Sequence, residues 1–124
     1  MSTLSRVKNS EYLFGLYAGI PDLTGVEITH LNLKRDGPSL MVGTITRQLP
    51  VQTPKKWIDF NSVFIELNLV SITSINLSSF EREGKSSISI EEHPNIFNVY
   101  CTGAANFYAS FEFLIIERVR PLMS

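Results

Sequence analysis

Val63-Phe64-Ile65-Glu66-Leu67-Asn68-Leu69 alternates with a period of two. Val63, Ile65, Leu67 and Leu69 face one way, while Glu66 and Asn68 face the other. Successive side chains take opposite sides of a strand, so this spacing fits a half-buried strand and not a helix. After Val70-Ser71 a second segment follows, with Ile75, Leu77 and Ser79 in phase. Glu81-Arg82-Glu83-Gly84-Lys85 is a charged turn. Ser87-Ile88-Ser89-Ile90-Glu91 alternates again, and His93-Pro94-Asn95 turns the chain. Phe97, Val99 and Cys101 alternate with Asn98 and Tyr100, and a turn over 102–105 follows. The last strand places Phe107, Ala109, Phe111, Phe113 and Ile115 on one face, with Tyr108, Ser110 and Glu112 on the reverse.

Upstream, Asn9 or Ser10 caps a short helix from Glu11 to about Ala18, which Gly19 and Pro21 stop. Val26 and Ile28 alternate, then the apolar phase slips by one to Leu31 and Leu33. A bulge near Thr29-His30 keeps both pairs on one face. Arg35-Asp36-Gly37-Pro38 is a hairpin turn, since Asp-Gly accepts positive φ and Pro38 can only begin the next strand. Leu40 to Leu49 is a strand with apolar residues in both phases, so its orientation stays open. A loop over 50–54 leads to Lys55-Lys56-Trp57. Seven or eight short strands with turn residues between them predict a mainly β chain. It is an antiparallel meander, as a strongly bent sheet, an open barrel or a sandwich, with one short N-terminal helix.

A chain of 124 residues forms one domain, residues 1–124, and can bury a core without a metal or a disulfide. Lys and Arg number 11 against 12 Asp and Glu, a balance that does not fit a general nucleic-acid binder. No run approaches the roughly 20 apolar residues of a membrane span, and the first residues lack the apolar centre of a signal peptide. The single cysteine cannot form an internal disulfide, which makes a reducing cytoplasm the natural compartment.

Chemistry is sparse. His30 and His93 are far apart, and with one cysteine they do not make a zinc ligand set. Cys101 reads as a small buried hydrophobe. Glu91-Glu92-His93 is the one compact titratable group, yet neighbours on a strand point apart and cannot readily share acid and base work. No catalytic residue, metal ligand or cofactor is therefore expected. Gly43, inside a strand, marks a bend or a close backbone approach. Trp57 is an interface candidate, because tryptophan buries much area at little rotamer cost, although a loop tryptophan also serves as a plug over a sheet edge.

The ordered set Leu13-Phe14-Gly15, Pro21-Asp22-Leu23-Thr24-Gly25-Val26 and Arg35-Asp36-Gly37-Pro38 resembles the opening of the bacterial immunity protein 50 family. Leu49-Pro50, Pro54 and Trp57 resemble its loop after the second strand. Val63 to Leu77 resembles its central pair of strands, and Val99 to Gly103 and Phe107 to Phe111 its closing ones. The similarity spans most of residues 12–116. Phe80 departs from it, at a position where the resemblance implies a tryptophan or Gly-Trp closing the central strands. The resemblance implies an all-β antitoxin that neutralises a cognate secreted toxin by stoichiometric binding, with no enzymatic activity of its own. Complementary charge speeds and selects such encounters, so Glu81, Glu83, Glu91 and Glu92 join Trp57 as partner-binding candidates. A strand such as Phe107 to Ile116, if it lies at an edge, also offers a route to a homodimer. Two alternatives remain: a small β-barrel ligand-binding protein, and a minor enzyme centred on Glu91, Glu92 and His93.

Overall fold

The computed structural model describes residues 7–8, 11–17 and 21–123. Its elements are β1 (Val7–Lys8), α1 (Glu11–Tyr17), β2 (Glu27–Lys34), β3 (Ser39–Thr46), β4 (Ser62–Phe80), β5 (Ser86–Glu92), β6 (Phe97–Gly103) and β7 (Ala105–Leu122). The strands form one sheet in the order β2-β3-β4-β7-β6-β5, and β1 adds to β7 in parallel. Two three-strand meanders, β2-β3-β4 and β5-β6-β7, are thus joined where β4 pairs with β7. The chain is mainly β, and its sheet is strongly bent without closing into a barrel. The first and last strands meet at a single bridge, where Val26 and Ser86 exchange two backbone hydrogen bonds of 2.8 Å.

The sequence predicts a break at Val70-Ser71, but β4 runs through it as one strand of 19 residues. Both halves pair with the same partner: Ser62 lies opposite Leu122 and Phe80 opposite Ala105. What the break becomes is a corner. Ser71 takes a φ of 61°, a left-handed value that disfavours L residues with a side chain. The register then shifts between Ile72 and Ser74. The core-facing phase slips on both strands here. On β4 it passes from Leu69 to Ile72, and on β7 from Phe111 to Leu114. Phe113, expected in the core with Phe107 and Phe111, is 39% exposed instead, and Leu114 and Ile116 are buried.

Beyond the corner the two ends of the sheet face one another across one core. Leu40 and Val42 on β3 and Val63, Ile65, Leu67 and Leu69 on β4 supply one side. Phe97, Val99, Phe107, Ala109 and Phe111 supply the other, with the Phe97 and Phe111 rings stacked at 5.2 Å. The predicted bulge in β2 lies at the register shift between Ile28 and His30. It pairs Ile28 with Thr44 and Leu31 with Val42, on the core-facing phase of β3. That partner also settles the orientation of β3, whose Leu40, Val42, Thr44 and Thr46 are buried.

Helix α1 is too short to be stable alone. Leu13, Leu16 and Tyr17 are buried, each contributing about 1.5–3 kcal/mol when taken from water. Its end is tied down: the Val51 N–H donates to the Leu16 carbonyl at 2.8 Å, and the Tyr17 hydroxyl to the Gln48 carbonyl at 2.7 Å. The proposed caps Asn9 and Ser10 and the stop at Gly19 lie outside the described residues.

The strand Phe107–Ile116 is not an edge. β7 lies between β4 on one side and β6 and β1 on the other, so pairing of this segment with a second copy is blocked. Among the described residues, the unpaired edges belong to β2, to β5, to the second half of β4 and to β7 beyond Ile115.

Candidate protein-binding surface

β3 ends its pairing with β4 at Ser39 opposite Val70. The hairpin then turns away, and its last contact is the Ile72 N–H donating to the Pro38 carbonyl at 3.0 Å. Past this point β4 has β7 on one side, and among the described residues no strand on the other. Ile72, Ile75, Leu77 and Phe80 keep the phase that faces inward, since they lie opposite the buried Phe111, Ala109, Phe107 and Ala105. Nothing covers them fully: Leu77 is 53% exposed and Phe80 46%.

Leu31 and Leu33 of β2 face this strand across an open cleft, with Leu40 and Phe107 in its floor. The cleft is the mouth between the two ends of the bent sheet. Lys34 and Arg35 stand at one end of it, beside Ile72 to Ile75. Glu27, Glu81 and Glu83 stand at the other, together with Arg82 and Lys85. The segment from Ile72 to Phe80 contains no charged residue and no proline, the two commonest guards of an exposed strand edge.

A second constellation crosses the outer face. His30, Gly43, Glu66 and Arg118 occupy one row across four strands. The Glu66 side chain is only 11% exposed, and both its oxygens are engaged: Oε2 lies 2.9 Å from His30 Nε2, and Oε1 lies 3.4 Å from Arg118 Nε. Gly43 is required by this arrangement, because a Cβ there would strike the His30 ring and the Thr29 hydroxyl. Of the two readings of Gly43, a bend or a close approach to its backbone, the structure shows the close approach, made by the His30 and Thr29 side chains. Arg120 lies over the Phe64 ring at 4.8 Å and helps to bury it on this outer side. Each oxygen of the nearly buried Glu66 carboxylate meets a side chain from a different strand, so the row ties strands together. Sequence reading missed it because His30 and Glu66 are 36 residues apart; the sole local signal was a glycine inside a strand.

The candidates from sequence do not converge. Trp57 is 8% exposed and packs edge-on against Phe60 at 5.4 Å, so its indole belongs to the core and is not presented to a partner. Glu81 and Glu83 are exposed beside the cleft. Glu91 and Glu92 lie at the far end of β5, roughly 20 Å away along a strand of seven residues. Strand geometry separates those two as well. Glu91 is exposed, with a carboxylate oxygen 3.4 Å from His93 Nε2, whereas Glu92 is half-buried opposite Phe97. A tyrosine pair, Tyr100 and Tyr108, lies on the outer face of β6 and β7 with ring centroids 5.0 Å apart. Asn98 and Ser110 hold the Tyr108 hydroxyl at 3.2 and 2.8 Å.

Cys101 is buried, and its thiol donates to the Ala105 carbonyl at 3.4 Å. Burial pushes its pKa up to about 11, the reverse of what a nucleophilic cysteine needs. Among the described residues no three His, Cys, Asp or Glu side chains are grouped to hold a metal ion, and no helix is long and apolar enough to cross a membrane. No curated protein and no solved structure matches the chain. The family model of immunity protein 50 matches residues 9–122, and the chain belongs to that family.

Proposed function

We propose that this member of the immunity protein 50 family is an antitoxin, which binds a cognate secreted bacterial toxin in the cytoplasm and neutralises it by stoichiometric contact. The family match over nearly the whole chain carries this reading. The surface supports it. An apolar cleft with charged ends, bordered by an unpaired strand edge, suits a protein partner. The chain acts by occupying the toxin's surface and carries out no reaction itself. Glu81 and Glu83, exposed at the cleft, draw in a basic toxin surface, and Glu91 and Glu92 extend the acidic character along β5.

The direct test is survival. Cells expressing the C-terminal toxic domain encoded beside this chain are expected to die, and co-expression of this chain to restore growth through a one-to-one complex that co-purifies. Absence of both rescue and complex defeats the proposal. Reversing the exposed pair, Glu81→Lys with Glu83→Lys, is expected to slow association at low salt while leaving thermal stability unchanged. An association rate equal to that of the unaltered protein removes the pair from the interface.

A further inference from the structure

We infer that the open edge of β4, from Ser74 to Phe80, receives an extended strand of the toxin, which continues the sheet on the side β3 leaves bare. The inference rests on the antitoxin reading and names the segment that carries it. Three independent features of the edge converge on a strand and not on a helix or a flat surface.

The first is hydrogen bonding. A strand paired on one side leaves alternate N–H and C=O groups on the other side without a strand partner, and an incoming strand can meet them up to the bulge at Ser78. The bulged residues Thr73 and Ser78 turn their hydroxyls back onto β7, donating to the Ser110 and Asn106 carbonyls at 3.3 and 3.2 Å. Those bonds hold the edge extended without covering it.

The second is packing. Alternate side chains of an added strand point inward and fill the mouth between Leu31 and Leu33 on one side and Ile75 and Leu77 on the other. The same four residues are left wet when the edge is empty, and Leu33 is 57% exposed. A strand whose apolar residues recur at every second position matches this site, whereas a helix presents its apolar residues at the wrong spacing.

The third is charge. An antiparallel partner runs from the turn over 81–85 towards the β2–β3 hairpin, and it meets charged groups at both ends. Its beginning faces Glu27, Glu81 and Glu83, interspersed with Arg82 and Lys85, and its end faces Lys34 and Arg35. The toxin strand that fits therefore reads basic, then alternating apolar, then acidic. The edge of β2 is a poorer host, because it carries Glu27, His30 and Lys34.

Hydrogen exchange of the backbone amides, read in the free chain and in its complex with the toxic domain used for rescue, tests the proposal. Alternate amides over 74–80 are expected to exchange freely in the unbound chain and to slow at least a hundredfold in the complex. Leu77→Lys, at an exposed position that the fold does not need, is expected to weaken the complex at least tenfold with an unchanged melting temperature. A complex that forms without protecting 74–80 overturns the inference and leaves the antitoxin reading standing. A chain that forms no complex and gives no rescue defeats both. Protection of these amides already in the free monomer, or protection that appears with rising concentration of the chain alone, means that the first residues of the chain or a second copy fills the edge, and likewise overturns it.

Discussion

The two halves of β4 share a strand, a partner and an apolar alternation, yet one is core and the other is surface. Val63, Ile65, Leu67 and Leu69 are at most 2% exposed, while Ile75 and Leu77 reach 36% and 53%. The difference lies in their neighbours. Among the described residues, the first half is flanked by β3 and β7, and the second by β7 alone. A side chain on the core-facing phase becomes buried only if something lies on the far side of it, and here the length of the β2–β3 hairpin determines where that cover stops. The corner at Ser71 divides the strand at the same place, so one half builds the domain and the other is available to a partner.

Substitutions across that divide should separate the two roles. Leu69→Ala, fully buried before the corner, is expected to cost about 2–5 kcal/mol through lost contact and a residual cavity, read as a lower urea midpoint. A loss under 1 kcal/mol would mean that this half is looser than its burial says. Cys101 asks whether the second end of the sheet is equally dry on its β6 side. With its pKa raised from 9.0 to about 11, labelling at pH 8 is expected to run on the order of a hundredfold slower than in the urea-unfolded chain, since each pKa unit removes about tenfold of thiolate. The sign of the linkage follows: a proton held more tightly in the folded state supports stability below pH 9, and that support fades as pH rises through about 11.

Ser71→Gly should relieve the left-handed backbone at the corner and raise stability by up to about 1 kcal/mol, the relief being partly offset by the greater freedom of glycine when unfolded. A loss of stability instead would show that the Ser71 side chain itself holds the corner. Leu77→Ser, past the corner, is expected to change stability by no more than about 0.5 kcal/mol while weakening the toxin complex. Equal losses at Leu69 and Leu77 would abolish the distinction between the halves.

Local patterning was most legible where one residue type leaves one geometric option. The slipped phase between Ile28 and Leu31 demanded a bulge, and the register shift lies there. Gly43 inside a strand signalled a bend or a close approach, and the His30 ring approaches it. The reading failed where a single residue changed phase without a turn. Val70-Ser71 resembled a strand end, because a polar residue interrupts the alternation, and the paired slip on β7 that buries Leu114 and turns Phe113 out has no local signature. Trp57, by its type and its loop, read as either an anchor for a partner or a plug over the sheet edge, a choice local sequence could not make; it is buried against Phe60. The meander is also interrupted once, since β7 and not β5 lies beside β4, and pairing between strands distant in sequence leaves no mark on either alone.

By itself the sequence determined the family, the β class, the hairpin turns and, within each uninterrupted strand segment such as Val63 to Leu69, which side chains share a face, because these follow from period-two alternation and from residues with restricted backbone angles. Only the tertiary structure decided which of those faces are covered, that β4 is continuous and bent, and that its second half is an open edge. Coverage depends on how far each neighbouring strand extends and how the sheet curls. Both are set by contacts between residues far apart in the chain, which no local pattern contains.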